Sequence, residues 1–132
     1  MYELIEVVED DATRFLTLRN METGVVEECF DDSAVVSDSN FGFMKKGQRY
    51  ECKIKLLGKV LTEGADDGVV CKLVNKEVII GQKTMVEVRI NNSQYYIPRQ
   101  KVSQCLEGDS FRFGFTRKDI VQVNNIIHAD LL

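Results

Sequence analysis

Six bases, Lys45, Lys46, Arg49, Lys53, Lys55 and Lys59, share the stretch KKGQRYECKIKLLGKV with the single acid Glu51. Surface ammonium and guanidinium groups neutralise phosphate, so such a run is the electrostatic half of a site for single-stranded DNA or RNA. The other half is a stacking surface, for which Tyr95 and Tyr96 are the candidates. Adjacent residues of a strand point to opposite faces, so one of these rings is expected inside and the other outside. Arg89, Arg99 and Lys101 are their neighbours in sequence. A competing expectation makes the strip the wetted side of a strand. Residues 1–32 hold ten acids and two bases, net -8, whereas residues 45–60 are net +5. Opposite charges facing each other across a sheet add a few tenths to about 1 kcal/mol per pair, so acidic segments 3–8 and 25–30 would neutralise the bases internally. The chain is then expected as a protein-interaction or self-assembly module that uses a strand edge or an apolar patch, with no nucleic acid; a third expectation leaves the bases open as a docking site for an acidic protein.

Other chemistry finds little support in the residue types. The one histidine, His128, is followed by Asp130 in NNIIHADLL, but no activated-nucleophile motif accompanies them, and a peripheral, terminal histidine is expected. GQKT (81–84) ends like a phosphate loop, yet the glycine that loop needs at position 76 is Lys76. Cys29, Cys52, Cys71 and Cys105 are spaced 23, 19 and 34 residues apart. Zinc ligands come in close pairs, because one tight turn then presents both sulfurs. The four are expected as core thiols, which behave as small hydrophobes. The acid pairs Asp10–Asp11, Asp31–Asp32 and Asp66–Asp67 lie in expected turns, where aspartate bonds nearby amides. The chain is therefore expected to be a non-enzyme without cofactor or metal.

The elements that must position these groups are strands. Tyr50, Cys52, Ile54, Leu56 and Val60 share one parity and Arg49, Glu51, Lys53, Lys55 and Lys59 the other, which predicts a long strand with an apolar and a basic side. Gly58 interrupts the apolar parity where a bulge lets a long strand bend. Further strands are expected at 3–8, 14–19, 25–30, 69–74, 85–90 and 94–98, with Gly24 at positive φ in a hairpin and Pro98 closing an edge strand. Residues 31–47 read as loop with one helical turn after Asp32 or Ser33, 62–68 as loop, and 99–108 as a helix of two turns ending at Gly108. SFRFGF puts Phe111, Phe113 and Phe115 on one core face, and IVQV with IIHADLL reads as a final hairpin across Asn124 and Asn125.

The fold class predicted is all-β with one or two short helices. At the level of pattern, residues 1–76 resemble an OB-fold, an antiparallel barrel, with hairpin strands, an insertion at 31–46, the bent strand 48–60 and a returning strand 69–74. Residues 77–132 are expected as a second small β module packed closely on the first, and an alternative barrel spans 47–126. The resemblance implies a nucleic-acid face on the sheet, since OB-folds often bind there. MKKGQRYECKI and CLEGDSFRFGF also echo each other at an offset of 61, matching Gly47 with Gly108 and Tyr50 with Phe111. Shared strand geometry accounts for the echo, and duplication is the alternative. No run approaches the ~18 apolar residues of a spanning helix, and the first residues lack the basic and apolar pattern of a secretory signal, so no membrane and a cytoplasmic location are expected.

Overall fold

A computed structural model describes residues 1–62, 64 and 67–132 of the 132-residue chain. Part of the loop expected at 62–68, including Asp66 of the third acid pair, lies outside the described residues. Ten strands form one sheet: β1 (Tyr2–Asp10), β2 (Thr13–Asn20), β3 (Val26–Asp31), β4 (Arg49–Tyr50), β5 (Cys52–Val60), β6 (Val69–Ile80), β7 (Lys83–Ile90), β8 (Ser93–Pro98), β9 (Ser110–Val123) and β10 (Ile126–Ile127). The one α-helix among the described residues is a single turn, α1 (Ser33–Val36). The fold is thus all-β with few short helices, and among the described residues no helix is long and apolar enough to cross a membrane.

Strand pairing follows two closed paths that share the long strands. In the first, β1, β2 and β3 are an antiparallel meander, β3 lies parallel to β9, β9 runs antiparallel to β5, and β4, continuous with β5 through Glu51, pairs back to β1. In the second, β6, β7 and β8 repeat the meander, β8 lies parallel to β5, and β9 pairs back to β6. Each half of the chain is therefore three strands, a short helical connection and a long strand, and each long strand is used by both halves. The sequence echo falls on the starts of these two long strands.

The halves match in detail. The first strand of each slips register at a matching place, between Leu4 and Glu6 and between Leu73 and Asn75, and β6 slips once more between Asn75 and Val78. The inward row Leu4–Leu18–Glu27 has its counterpart in Leu73–Val88–Tyr95. The outward row Val8–Phe15–Phe30 has its counterpart in Val78–Met85–Pro98. One core serves both halves: Leu4, Leu16 and Leu18 join Val86, Val88 and Ile97 through Ile54, Leu56, Phe113 and Ile120 of the shared strands.

Several expectations change in the tertiary setting. The strand returning to the first half is β9, not 69–74, because β6 finds its partners in β7 and β9. A boundary between residues 76 and 77 falls inside β6. The two-turn helix at 99–108 is replaced by two 3-10 turns, Arg99–Lys101 and Ser103–Cys105. Pro98 does end β8, but that strand lies between β7 and β5 rather than at an edge. SFRFGF and IVQV belong to one 14-residue strand. Only Ile126 and Ile127 form the last hairpin strand, and Ala129–Leu131 is a 3-10 turn. Cys29 and Cys71 are buried as expected, Phe111 and Phe113 are core, and Cys52 and Cys105 are half-buried.

Gly58 marks the closest approach of the shared strands. Its register irregularity sits between Leu57 and Gly58, and a Cβ there would stand 2.0 Å from the Gly114 carbonyl oxygen. Both neighbours are backbone, so neither can swing aside. Gly58→Ala is expected to destabilise the protein by about 1–3 kcal/mol or more, the cost of forcing atoms into a packed site, seen as a lower urea midpoint. An unchanged midpoint contradicts this close approach.

Candidate functional site

The basic strip is partly neutralised by its own chain. Lys46 meets Glu6 at 3.4 Å and Arg49 meets Glu3 at 3.8 Å, both acids lying on β1. Lys55 meets Asp119 of β9 at 3.9 Å. Lys53 lies 5.7 Å from the centroid of the Tyr96 ring, while Lys45 and Lys59 are exposed with no acid within 4.0 Å among the described residues. Surface pairs of this kind contribute roughly 0–1 kcal/mol, so they trim the local field more than they stabilise the fold.

Tyr95 and Tyr96 do not form the expected stacking surface, since both are buried, at 4% and 9% exposure. They do point to opposite faces, but each face is covered. Tyr95 enters the main core, and Tyr96 joins Ile80, Met85, Val121 and Leu131 in a second cluster. The Tyr95 hydroxyl donates to Glu27 Oε1 at 2.6 Å, and Lys118 Nζ lies 2.7 Å from Oε2. Glu27 is 1% exposed, and Lys118 also sits over the Tyr95 and Phe115 rings. This polar knot joins β3, β8 and β9, with Glu27 and Tyr95 in matching positions of the two halves. Burial, then the hydrogen bond to Glu27, holds the Tyr95 phenol well above its ordinary range.

The outer face of β1–β3 was not singled out by charge or motif. Val8 is 59% exposed and Phe15 48%, and they are cross-strand neighbours of one another. The Phe15 and Phe30 ring centroids lie 5.3 Å apart, and the Arg117 guanidinium covers Phe30 at 4.2 Å. Arg117 is anchored on Asp119 by bonds of 2.5 and 3.2 Å, and the bond to Asp119 raises its pKa above the ordinary value. The matching row of the second half is treated differently: Met85 and Val78 pack beneath Ile127 and Leu131 of the C-terminal segment. A signal was present in RFLTLR, where Phe15 shares the parity of Thr17 and Arg19 while Leu16 and Leu18 take the other.

That C-terminal segment is fixed by His128, which is buried rather than peripheral. Its Nδ1 accepts the Asp130 N–H at 3.1 Å, so the ring proton resides on Nε2, which faces Asp32 Oδ1 at 2.6 Å. Asp32, His128 and Asp130 fall within metal-ligand spacing of one another. Both ring nitrogens are occupied, Nε2 by the Asp32 carboxylate and Nδ1 by the Asp130 backbone N–H, so the imidazole offers no free lone pair to an ion shared by all three. Asp32 makes no side-chain cap for α1. Its neighbour Asp31 instead takes the Ser33 N–H and hydroxyl at 2.9 and 2.6 Å and Arg14 at 2.7 Å.

A cleft of about 580 Å³ opens beside Lys55 and brings in Lys83 and Arg99 with Glu77 and Asp130, and Met85 and Leu131 also line it. Searches of protein-family models, of curated proteins and of solved structures find no match to this chain.

Removing Lys118 alone leaves the Glu27 carboxylate buried without a counter-charge, so Lys118→Met is expected to cost about 3–5 kcal/mol in urea unfolding. The triple variant Glu27→Leu, Tyr95→Phe, Lys118→Met removes every polar end and is expected to lose less than the single one. The opposite order overturns the assignment of that knot. A pH effect follows from the buried acids of high pKa. Burial is the largest cause lifting the Cys52 and Cys71 thiols from 9.0 to about 12 and the Tyr2 phenol from 10.0 to about 12. The folded state holds these protons more tightly, so their contribution is complete below pH 9.0 and disappears as pH rises towards about 12. Urea midpoints measured across that range are expected to fall, and a flat profile contradicts the burial of these groups.

Proposed function

We propose that the chain is a non-enzymatic binding module whose partner is a protein and whose working surface is the outer face of β1–β3. One observation carries the reading. The outward rows of the two halves match, yet Val78–Met85 lies under Ile127 and Leu131, while Val8–Phe15 lies open. An exposed aromatic in a contiguous apolar row favours a partner that covers it. The acids around it, Glu6, Glu9, Asp10 and Asp11, would repel phosphate. The pairing paths support an OB-like reading in which two small barrels share β4–β5 and β9, each borrowing its closing strand from the other half, β9 for the first and β5 for the second. The occupied nitrogens of His128 favour a structural role for it, and four free thiols fit a cytoplasmic protein.

Single-stranded nucleic acid is the second reading, and the observation favouring it is the grouping of Lys55, Lys83 and Arg99 around one cleft. Its cations are Lys45, Lys53 and Lys59, which have no acid partner among the described residues, together with that cleft.

Selection of a displayed random-peptide library on the protein tests the first reading. Peptides enriched on the unaltered chain but lost on Phe15→Glu, with the melting temperature of the variant retained, are the expected result. Peptides indifferent to Phe15, together with salt-sensitive binding of mixed single-stranded DNA that is lost in Lys53→Glu/Lys55→Glu, replace it by the second reading.

A further inference from the structure

The sides of β1 differ. One edge is paired with β2 along its whole length. On the other, β4 pairs only with Tyr2 and Glu3, and the Leu4 N–H and carbonyl go to Gln48 and Gly47. From Ile5 to Asp10, β2 is the only strand neighbour of β1 among the described residues. A bare strand edge is a template for another chain, and proteins commonly protect such edges. The matching strand β6 has one such protection, for Arg99 Nε donates to the Lys76 carbonyl at 3.2 Å.

After the register slip at Ile5, the residues of β1 that share the outer face are Glu6, Val8 and Asp10, opposite Thr17, Phe15 and Thr13. The bare edge therefore presents acid, aliphatic, acid at alternate positions. The nearby bases are largely committed. Arg14 is held by Asp31 at 2.7 Å, and Lys46 reaches Glu6 at 3.4 Å, with both of those side chains more than half exposed and readily displaced. Glu9 and Asp11 add to the negative field at the hairpin tip. A strand laid beside β1 would set its own alternate side chains against Glu6, Val8 and Asp10, because neighbouring strands stand about 4.8 Å apart and residues directly opposite interact.

We propose that the outer edge of β1 receives an extended cationic segment of a partner protein by strand addition, with basic, aliphatic and basic residues at alternate positions against Glu6, Val8 and Asp10. This rests on the protein-binding reading above and specifies its partner. Main-chain hydrogen bonds to the bare edge supply affinity, and the alternating side chains supply selectivity. The aliphatic residue would extend the Val8–Phe15–Phe30 row by one strand and shield the outer flank of Val8.

The test uses the full chain and two labelled octapeptides, one with Lys, Val and Lys at alternate positions separated by Thr, the other with both Lys replaced by Glu. Fluorescence anisotropy is expected to show saturable binding of the lysine peptide that weakens with added salt, and binding of the glutamate peptide weaker by at least about tenfold. Val8→Lys, at an exposed position, is expected to reduce lysine-peptide binding by a similar factor without lowering the melting temperature. Amide shifts in a nitrogen-15 spectrum are expected to concentrate on residues 5–10. Equal binding of the two peptides, or shifts concentrated on residues 53–59, overturns the proposal. If library peptides require Phe15 but show no basic alternation and leave residues 5–10 unshifted, strand addition is overturned while the protein-binding reading stands. If no peptide requires Phe15, that reading falls first.

Discussion

The antiparallel pairing of β5 with β9 is the constraint on which everything else depends. Neither half of the chain completes its pairing path alone, because the parallel neighbour of each third strand is the long strand of the other half. The two meanders are thereby locked into one body with one core, and the strands between them must approach closely enough that Gly58 faces the backbone of Gly114. This is why a chain of two similar halves behaves as one structural unit.

The shared strands also decide where charge can be buried. Lys118 comes from β9, Glu27 from β3 and Tyr95 from β8, and only the crossing of the two halves brings them together. Glu27 Oε2 faces Lys118 as its only counter-charge and accepts no well-aligned hydrogen bond among the described residues. A buried pair of this kind is a weak source of net stability, since desolvation offsets most of the attraction. Its geometric demand is strict, however: the two third strands can sit in one register relative to each other, and slippage would strand a carboxylate in the core.

Surface chemistry follows from the same arrangement. The C-terminal segment is drawn across the second half by Ile127 and Leu131 and tied to the first by His128 and Asp32. It covers one outward row and leaves its counterpart open. The acids of β1 act on both sides of this story, since Glu3 and Glu6 quench part of the basic strip while Glu6 and Asp10 frame Val8.

Strand content, the turns at Gly24 and at Asn124 and Asn125, the bend at Gly58 and the buried thiols of Cys29 and Cys71 were legible in the sequence, because alternation, glycine placement and apolar surroundings act over a few residues. The acidic neutralisation of Lys46 and Arg49 was legible too, from the charge split between residues 1–32 and 45–60. Which strand pairs with which was not. The choice of β9 over β6 as the last strand of the first half depends on contacts between residues as far apart in the chain as Phe30 and Asp119, which leave no local pattern. The burial of Tyr96 was hidden for the same reason: parity set it on the face opposite Tyr95, but only the tertiary structure brings Val121 of β9 and Leu131 of the C-terminal segment around it. Local chemistry along the chain determined which face of each strand was apolar, whereas the tertiary structure alone decided which of those faces remain in water, because coverage is a property of neighbours that the chain brings in from a distance.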